Sequence, residues 1–173
     1  TPEEERSASF SPDGRSIIYA SERDSSWNIY VTSLTRKDEH QFFNATVLKE
    51  EQLIATPAEE FQPVWSPDGK EVAYLEERTA VKVYNLATKK SRTILPADKN
   101  YSYSDGDQYF SWSPDSKWLL VQFLQDKQWI TQCGLVSAAG DKAVVNLTKS
   151  GYGGSHPKWA MDGHAMIWFS GRD

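Results

Sequence analysis

Apolar residues in this chain come in short runs, several of them alternating with polar neighbours. Residues 27–34 set Trp27, Ile29 and Val31 against Asn28, Tyr30 and Thr32, and a period of two marks an extended strand. Further runs of strand formers lie at residues 16–21, 47–55, 72–76, 80–86, 91–95, 118–124, 129–136 and 142–147. Residues 1–9 are polar and acidic and lead into another strand. No segment sustains a helical period, so almost no helix is expected.

The strands are punctuated by one recurring corner. It reads Ser11-Pro12-Asp13-Gly14, Ser66-Pro67-Asp68-Gly69, Ser113-Pro114-Asp115-Ser116 and Ala160-Met161-Asp162-Gly163. Pro sets φ for the turn, Ser and Asp bond local backbone donors, and Gly takes the positive φ that closes a bulged hairpin. Ser116 in place of Gly and Met161 in place of Pro predict the more strained or looser corners. The aromatics that open the copies are Phe10, Trp65, Trp112 and Trp159, spaced 55, 47 and 47 positions apart.

A period in the forties that restarts at a tight turn is the signature of a blade-by-blade β-propeller. A β-sandwich has frequent turns too, but it does not repeat one corner at this period. The expected fold is therefore all-β, a propeller of four-stranded antiparallel blades, with repeats at about 1–57, 58–104, 105–151 and 152–173. Residues 35–46, a charged stretch around Phe42 and Phe43, read as an insertion in the first repeat. The ending Ser170-Gly171-Arg172-Asp173 matches Ser21-Glu22-Arg23-Asp24, where the first repeat goes on. It predicts a truncated fourth repeat, an unclosed ring and a piece of a longer polypeptide, with two complete blades in the middle and partial or irregular ones at the ends.

Composition narrows the partners. Hydrophobic residues make up 39% and aromatics 13%, with seven Trp, as befits a globular chain rich in large strand formers. The net charge is −5 with scattered Lys and Arg, which makes nucleic acid a poor partner. No apolar run approaches the ~18 residues of a membrane span. The lone Cys133 excludes an internal disulfide.

The second corner with its flanks, Phe61-Gln62-Pro63-Val64-Trp65-Ser66-Pro67-Asp68-Gly69-Lys70-Glu71-Val72-Ala73-Tyr74, resembles the repeat of the TolB and tricorn-protease propellers. All four copies share the likeness. The long polar loops at residues 99–108 and 149–156 bring it nearest to the N-terminal propeller of bacterial tricorn-like serine peptidases. That resemblance implies a non-catalytic segment that handles peptide for a separate serine-protease domain, in a periplasmic or secreted protein, with the cytoplasm as the alternative. It equally admits a TolB-like interaction module or the propeller of an oligopeptidyl peptidase.

Candidate chemistry is sparse. Ser155 and His156 stand side by side in Gly151-Tyr152-Gly153-Gly154-Ser155-His156, but neighbours on an extended chain point to opposite sides. Cys133, in a predicted strand with Trp129 and Leu135, reads as a buried inert thiol. His40, His156 and His164 lack metal-ligand spacing, so neither metal nor cofactor is expected. What remains is a binding face. The position three before each corner aromatic holds Ser7, Gln62, Tyr109 and His156, which differ while the scaffold repeats. With Glu59, Glu60, Tyr103, Asp105, Asp107 and Tyr152 nearby, an acidic, tyrosine-rich rim could take a peptide or its amino terminus, or a protein partner.

Overall fold

A computed structural model, which describes residues 3–104, 107–125, 129–149 and 151–171, shows antiparallel sheets following one another along the chain. The first holds β1 (Glu5–Phe10), β2 (Ser16–Ser21), β3 (Asn28–Leu34) and β4 (Leu48–Ile54). The second holds β5 (Glu60–Trp65), β6 (Glu71–Glu76), β7 (Ala80–Asn85) and β8 (Lys90–Leu95), and the third β9 (Phe110–Trp112), β10 (Trp118–Leu124), β11 (Thr131–Ser137) and β12 (Val145–Asn146). A two-stranded sheet of β13 (Gly154–Ala160) and β14 (Ala165–Ser170) comes last. Strands pair in chain order and no sheet closes on itself, so the propeller-blade architecture stands. Helix among the described residues is limited to four three-residue 3-10 turns.

Two expectations need correcting. The first repeat, expected to be partial or irregular, is a full four-stranded sheet. Its outer strand β4 tolerates Lys49, Glu50 and Glu51 because it is an edge: Lys49 pairs with Glu51 at 2.7 Å, and Glu50 takes hydrogen bonds from Arg23 and Tyr19. Conversely β12 is far shorter than residues 142–147. Val144 leaves the strand to lie over Gly134 and Phe123, where a Cβ on Gly134 would meet its Cγ2 at 2.6 Å.

Alternation in residues 27–34 suggested one buried face, yet Trp27 and all of Asn28, Ile29, Tyr30 and Val31 are buried. The reason is that side chains of the same sheet cover its second face, with Tyr19 stacked on Tyr30 at 6.2 Å and the Arg23 guanidinium 4.5 Å over the Tyr30 ring, while the other face meets the second sheet. Ile18, Ile29 and Ile54 of the first sheet meet Val72, Tyr74 and Tyr84 of the second. Ala73, Leu75 and Val83, with Leu119, Val121 and Val136 of the third sheet, belong to the other core. Each large apolar side chain so buried contributes roughly 1.5–3 kcal/mol.

The corners fold as their chemistry requires. Ser11, Ser66 and Ser113 donate through Oγ to Asp13, Asp68 and Asp115 at 2.6, 2.7 and 2.6 Å, and the same carboxylates accept the N–H of Arg15, Lys70 and Lys117. Those serine and backbone donors hold Asp13 and Asp115 below the usual carboxylate range. Burial pushes Asp68 up, but the same pair of bonds outweighs it and the net shift is downward. Gly14 and Gly69 close their corners at φ 69° and 70°. Ser116 is forced to φ 60°, and Met161 and Asp162 to 51° and 52°, so the two divergent corners are indeed the strained ones. Ser116 recovers something, since its Oγ accepts the Asp68 N–H of the neighbouring blade at 3.1 Å.

The insertion of the first repeat is tied down by side chains, and Glu39 Oε1 accepts the Thr46 N–H and hydroxyl at 2.9 and 2.6 Å. The Arg15 guanidinium donates to the carbonyls of Leu34, Arg36 and Glu39 at 3.4, 2.9 and 3.0 Å. No helix among the described residues is long and apolar enough to cross a membrane.

Candidate functional site

Antiparallel order puts the Ser-Pro-Asp-Gly corners at one end of the blades and the connections between blades at the other. At that second end each of β1, β5 and β13 is bulged, with the pairing register slipping between Arg6 and Ser9, Phe61 and Val64, and Ser155 and Lys158. Inside the bulges Ser7, Gln62 and His156 adopt φ 55°, 52° and 51°. Left-handed backbone costs a non-glycine residue about 1–3 kcal/mol, and bulges serve to re-aim a side chain. Pro63 and Pro157 follow two of them, where a missing N–H leaves no ladder bond unmade. In the third repeat β9 begins only at Phe110, and Tyr109 keeps an ordinary φ while its carbonyl accepts the Gln122 N–H.

Three of these four positions come together. Gln62 Nε2 donates to the Gln108 carbonyl at 3.1 Å, next to Tyr109. The rings of Tyr109 and His156 lie 5.9 Å apart, and His156 meets Phe169 edge-on at 6.1 Å. The His156 N–H donates to Gln122 Oε1 at 2.6 Å, fixing the bulge against the third blade. The strip therefore crosses three successive blades.

The acidic members of the expected rim are engaged elsewhere. Glu59 is paired with Arg78 at 2.7 Å. Glu60 is fully buried; its Oε1 accepts the Thr56 N–H and hydroxyl, its Oε2 has no partner, and burial pushes its carboxyl above the usual range. Asp107 is folded into its own loop, accepting from the N–H groups of Tyr103 and Ser104 and from the side chains of Ser102 and Gln108. Burial raises its carboxyl, those donors lower it, and the donors win. Asp105 lies outside the described residues.

The aromatic members fare differently. Tyr103, 85% exposed, stands edge-on to Tyr101 at 4.6 Å, and Tyr101 edge-on to Trp129 at 5.5 Å. Tyr152 is exposed too, with its carbonyl taken by Gln132. Trp129 is the residue that the sequence reading misplaced. Expected within a strand beside Cys133, it precedes β11 and is 77% exposed, while Cys133 is fully buried with its thiol pushed up to about 11 by burial. Ser155 pairs with Phe169 in the ladder, and His156 follows it into the bulge.

No family model matches the chain, and no curated protein matches it by sequence. Solved structures do match in fold. TolB from Acinetobacter baumannii aligns over 96% of this chain and 37% of its own, at TM-score 0.65 and 19% identity. The tricorn protease aligns over 91% of this chain and 14% of its own, at TM-score 0.63 and 14% identity. An oligogalacturonate lyase from Vibrio parahaemolyticus aligns over 93% and 57%, at TM-score 0.57 and 16% identity. The chain has a TolB- and tricorn-like propeller fold and spans well under two thirds of each of these proteins.

Proposed function

We propose that this chain is a non-catalytic propeller segment that holds extended peptide at the mouth formed by its interblade connections. In this reading it serves a serine-peptidase domain elsewhere in a tricorn-like, periplasmic or secreted polypeptide. The observation that carries it is the shared backbone of Ser7, Gln62 and His156, three strained residues at one repeat position where the side chain is free to vary. Strain kept at such a position supports a binding role, because folding alone favours its removal. With the carboxylates of Glu59, Glu60 and Asp107 engaged by the protein itself, the groups left to meet a peptide are amide, phenol, imidazole and aromatic ring. Main-chain and ring contacts thus suit the ligand better than capture of an amino terminus.

The exposed set of Tyr101, Tyr103 and Trp129 also supports a second reading, a TolB-like module that docks a folded protein, since Tyr and Trp dominate interface cores. Fluorescence anisotropy of labelled unstructured peptides tests the first. Binding in the micromolar-to-millimolar range is expected, weakened several-fold by Gln62→Ala or His156→Ala and unaccompanied by cleavage. Absence of any peptide binding would sink this reading and leave the second. Peptide turnover abolished by Ser155→Ala or His156→Ala would place chemistry in the chain itself.

A further inference from the structure

Successive blade boundaries share one geometry, so positions can be matched between them. The N–H of Leu34 donates to the Arg15 carbonyl as that of Ala138 does to Lys117. Counting seven residues back from each puts Trp27 and Thr131 in the same place. Likewise Phe61 faces Leu75 across its ladder as Ser155 faces Phe169.

At the first boundary those places are filled. Trp27 tilts against Phe61 with ring centroids 5.5 Å apart, and Arg6 and Arg78 lie over the two rings at 5.1 and 4.6 Å. The second boundary is covered by the connecting loop, where Asn100 bonds the Thr79 carbonyl and Gln108 the Tyr101 carbonyl. At the third the same places hold Thr131 and Ser155, and a hollow of ≈ 540 Å³ opens between the blades. Gly153 and Gly154 add no bulk to it, and Trp129, Ile130 and Phe169 give it apolar walls.

We propose that this hollow is a binding site for an aromatic side chain of a bound peptide. Two observations name the occupant. The matching space at the first boundary is filled by an indole against a phenyl ring, so its dimensions are those of an aromatic group. Among the described residues the lining carries no charged side chain, which suits a neutral group. Edge-on packing of Trp129 against Tyr101 leaves the indole standing at the rim, the arrangement in which aromatic rings accept a further ring. This inference rests on the peptide-binding reading and narrows it to one class of side chain.

The test uses the full chain and two fluorescein-labelled, end-blocked tetrapeptides, one of alanine throughout and one with phenylalanine at the third place. The phenylalanine peptide is expected to bind about tenfold more tightly by anisotropy. Thr131→Trp with Ser155→Phe, which rebuilds the filled boundary, should erase that preference. Phe169→Ala alters an exposed ring and should reduce it at least about threefold, deciding the matter even if the double variant fails to fold. Equal binding of the two peptides overturns the inference and leaves the peptide-binding reading standing. A preference that survives in a folded double variant, or that is undiminished in Phe169→Ala, overturns it as well. If neither peptide binds, both fall.

Discussion

The first and third blade boundaries use the same backbone and end in opposite states. At the first, Trp27 and Phe61 close the space between sheets under two arginines; at the third, Thr131 and Ser155 leave it open. Corner, ladder and bulge repeat in both, so the framework does not decide whether a boundary is sealed. Two side chains do. A repeat fold can therefore turn a structural contact into an open hollow by exchanging side chains on a repeated framework, because each repeat meets only its neighbours.

The largest test of this contrast removes the seal. Trp27→Ala deletes a buried indole and should cost about 3–5 kcal/mol in urea unfolding, while Thr131→Ala at the matching place should stay within about 0.5 kcal/mol. Similar costs for the two would mean that Trp27 is no seal and would remove the contrast between the boundaries. Next comes the residue that keeps the third boundary thin. A Cβ on Gly154 would meet Thr148 Cγ2 at 2.7 Å and Cys133 Sγ at 3.1 Å, so Gly154→Ala should lose about 1–3 kcal/mol, although Glu60 fits a whole side chain at the corresponding site. The corners give a smaller contrast. A Cβ on Gly163 (φ 90°) would meet the Pro114 ring at 3.1 Å, while one on Gly69 (φ 70°) would stand 3.8 Å from the Pro12 ring. Gly163→Ala should cost about 1–2 kcal/mol and Gly69→Ala about 1 kcal/mol, measured the same way.

The smallest effect is a pH dependence confined to the first boundary. Burial raises the Glu60 carboxyl above its unfolded value, so its contribution is whole below the unfolded pKa and is lost as pH rises through the folded one. Glu60→Gln keeps an oxygen for Thr56 and removes the charge. Its thermal midpoint should exceed the parent's at pH ~8 by a few degrees and match it at pH ~4. A difference of equal size at both would assign the effect to packing rather than ionisation.

How much of this could be read from the chain follows from what is local. The corner carries its own bonds from Ser66 to Asp68, so turn chemistry at four places was enough to set the period, and strands such as β2 and β10 fall where their apolar runs stand. Counting three back from each aromatic found Ser7, Gln62 and His156, although nothing in the residue types announced their left-handed backbone. The acidic rim misled because the partners come from other segments: Arg78 reaches Glu59 only through the hairpin, and Asp107 is consumed by a loop that closes on itself. Trp129 was misplaced because an aromatic beside strand formers looks like core. The ladder that excludes it begins two residues later, at Thr131.

The Arg15 guanidinium, holding the carbonyl that ends β3 and two carbonyls of the inserted segment, has a consequence for how long the chain survives among proteases. Arg36 and Lys37 are exposed tryptic sites, yet cleavage demands that the segment around them unfold into a protease cleft. While the latch holds, that opening is rare. In Arg15→Ala the first cut should fall after Arg36 or Lys37 and come several-fold sooner, turning the insertion from a latched loop into the chain's first point of failure.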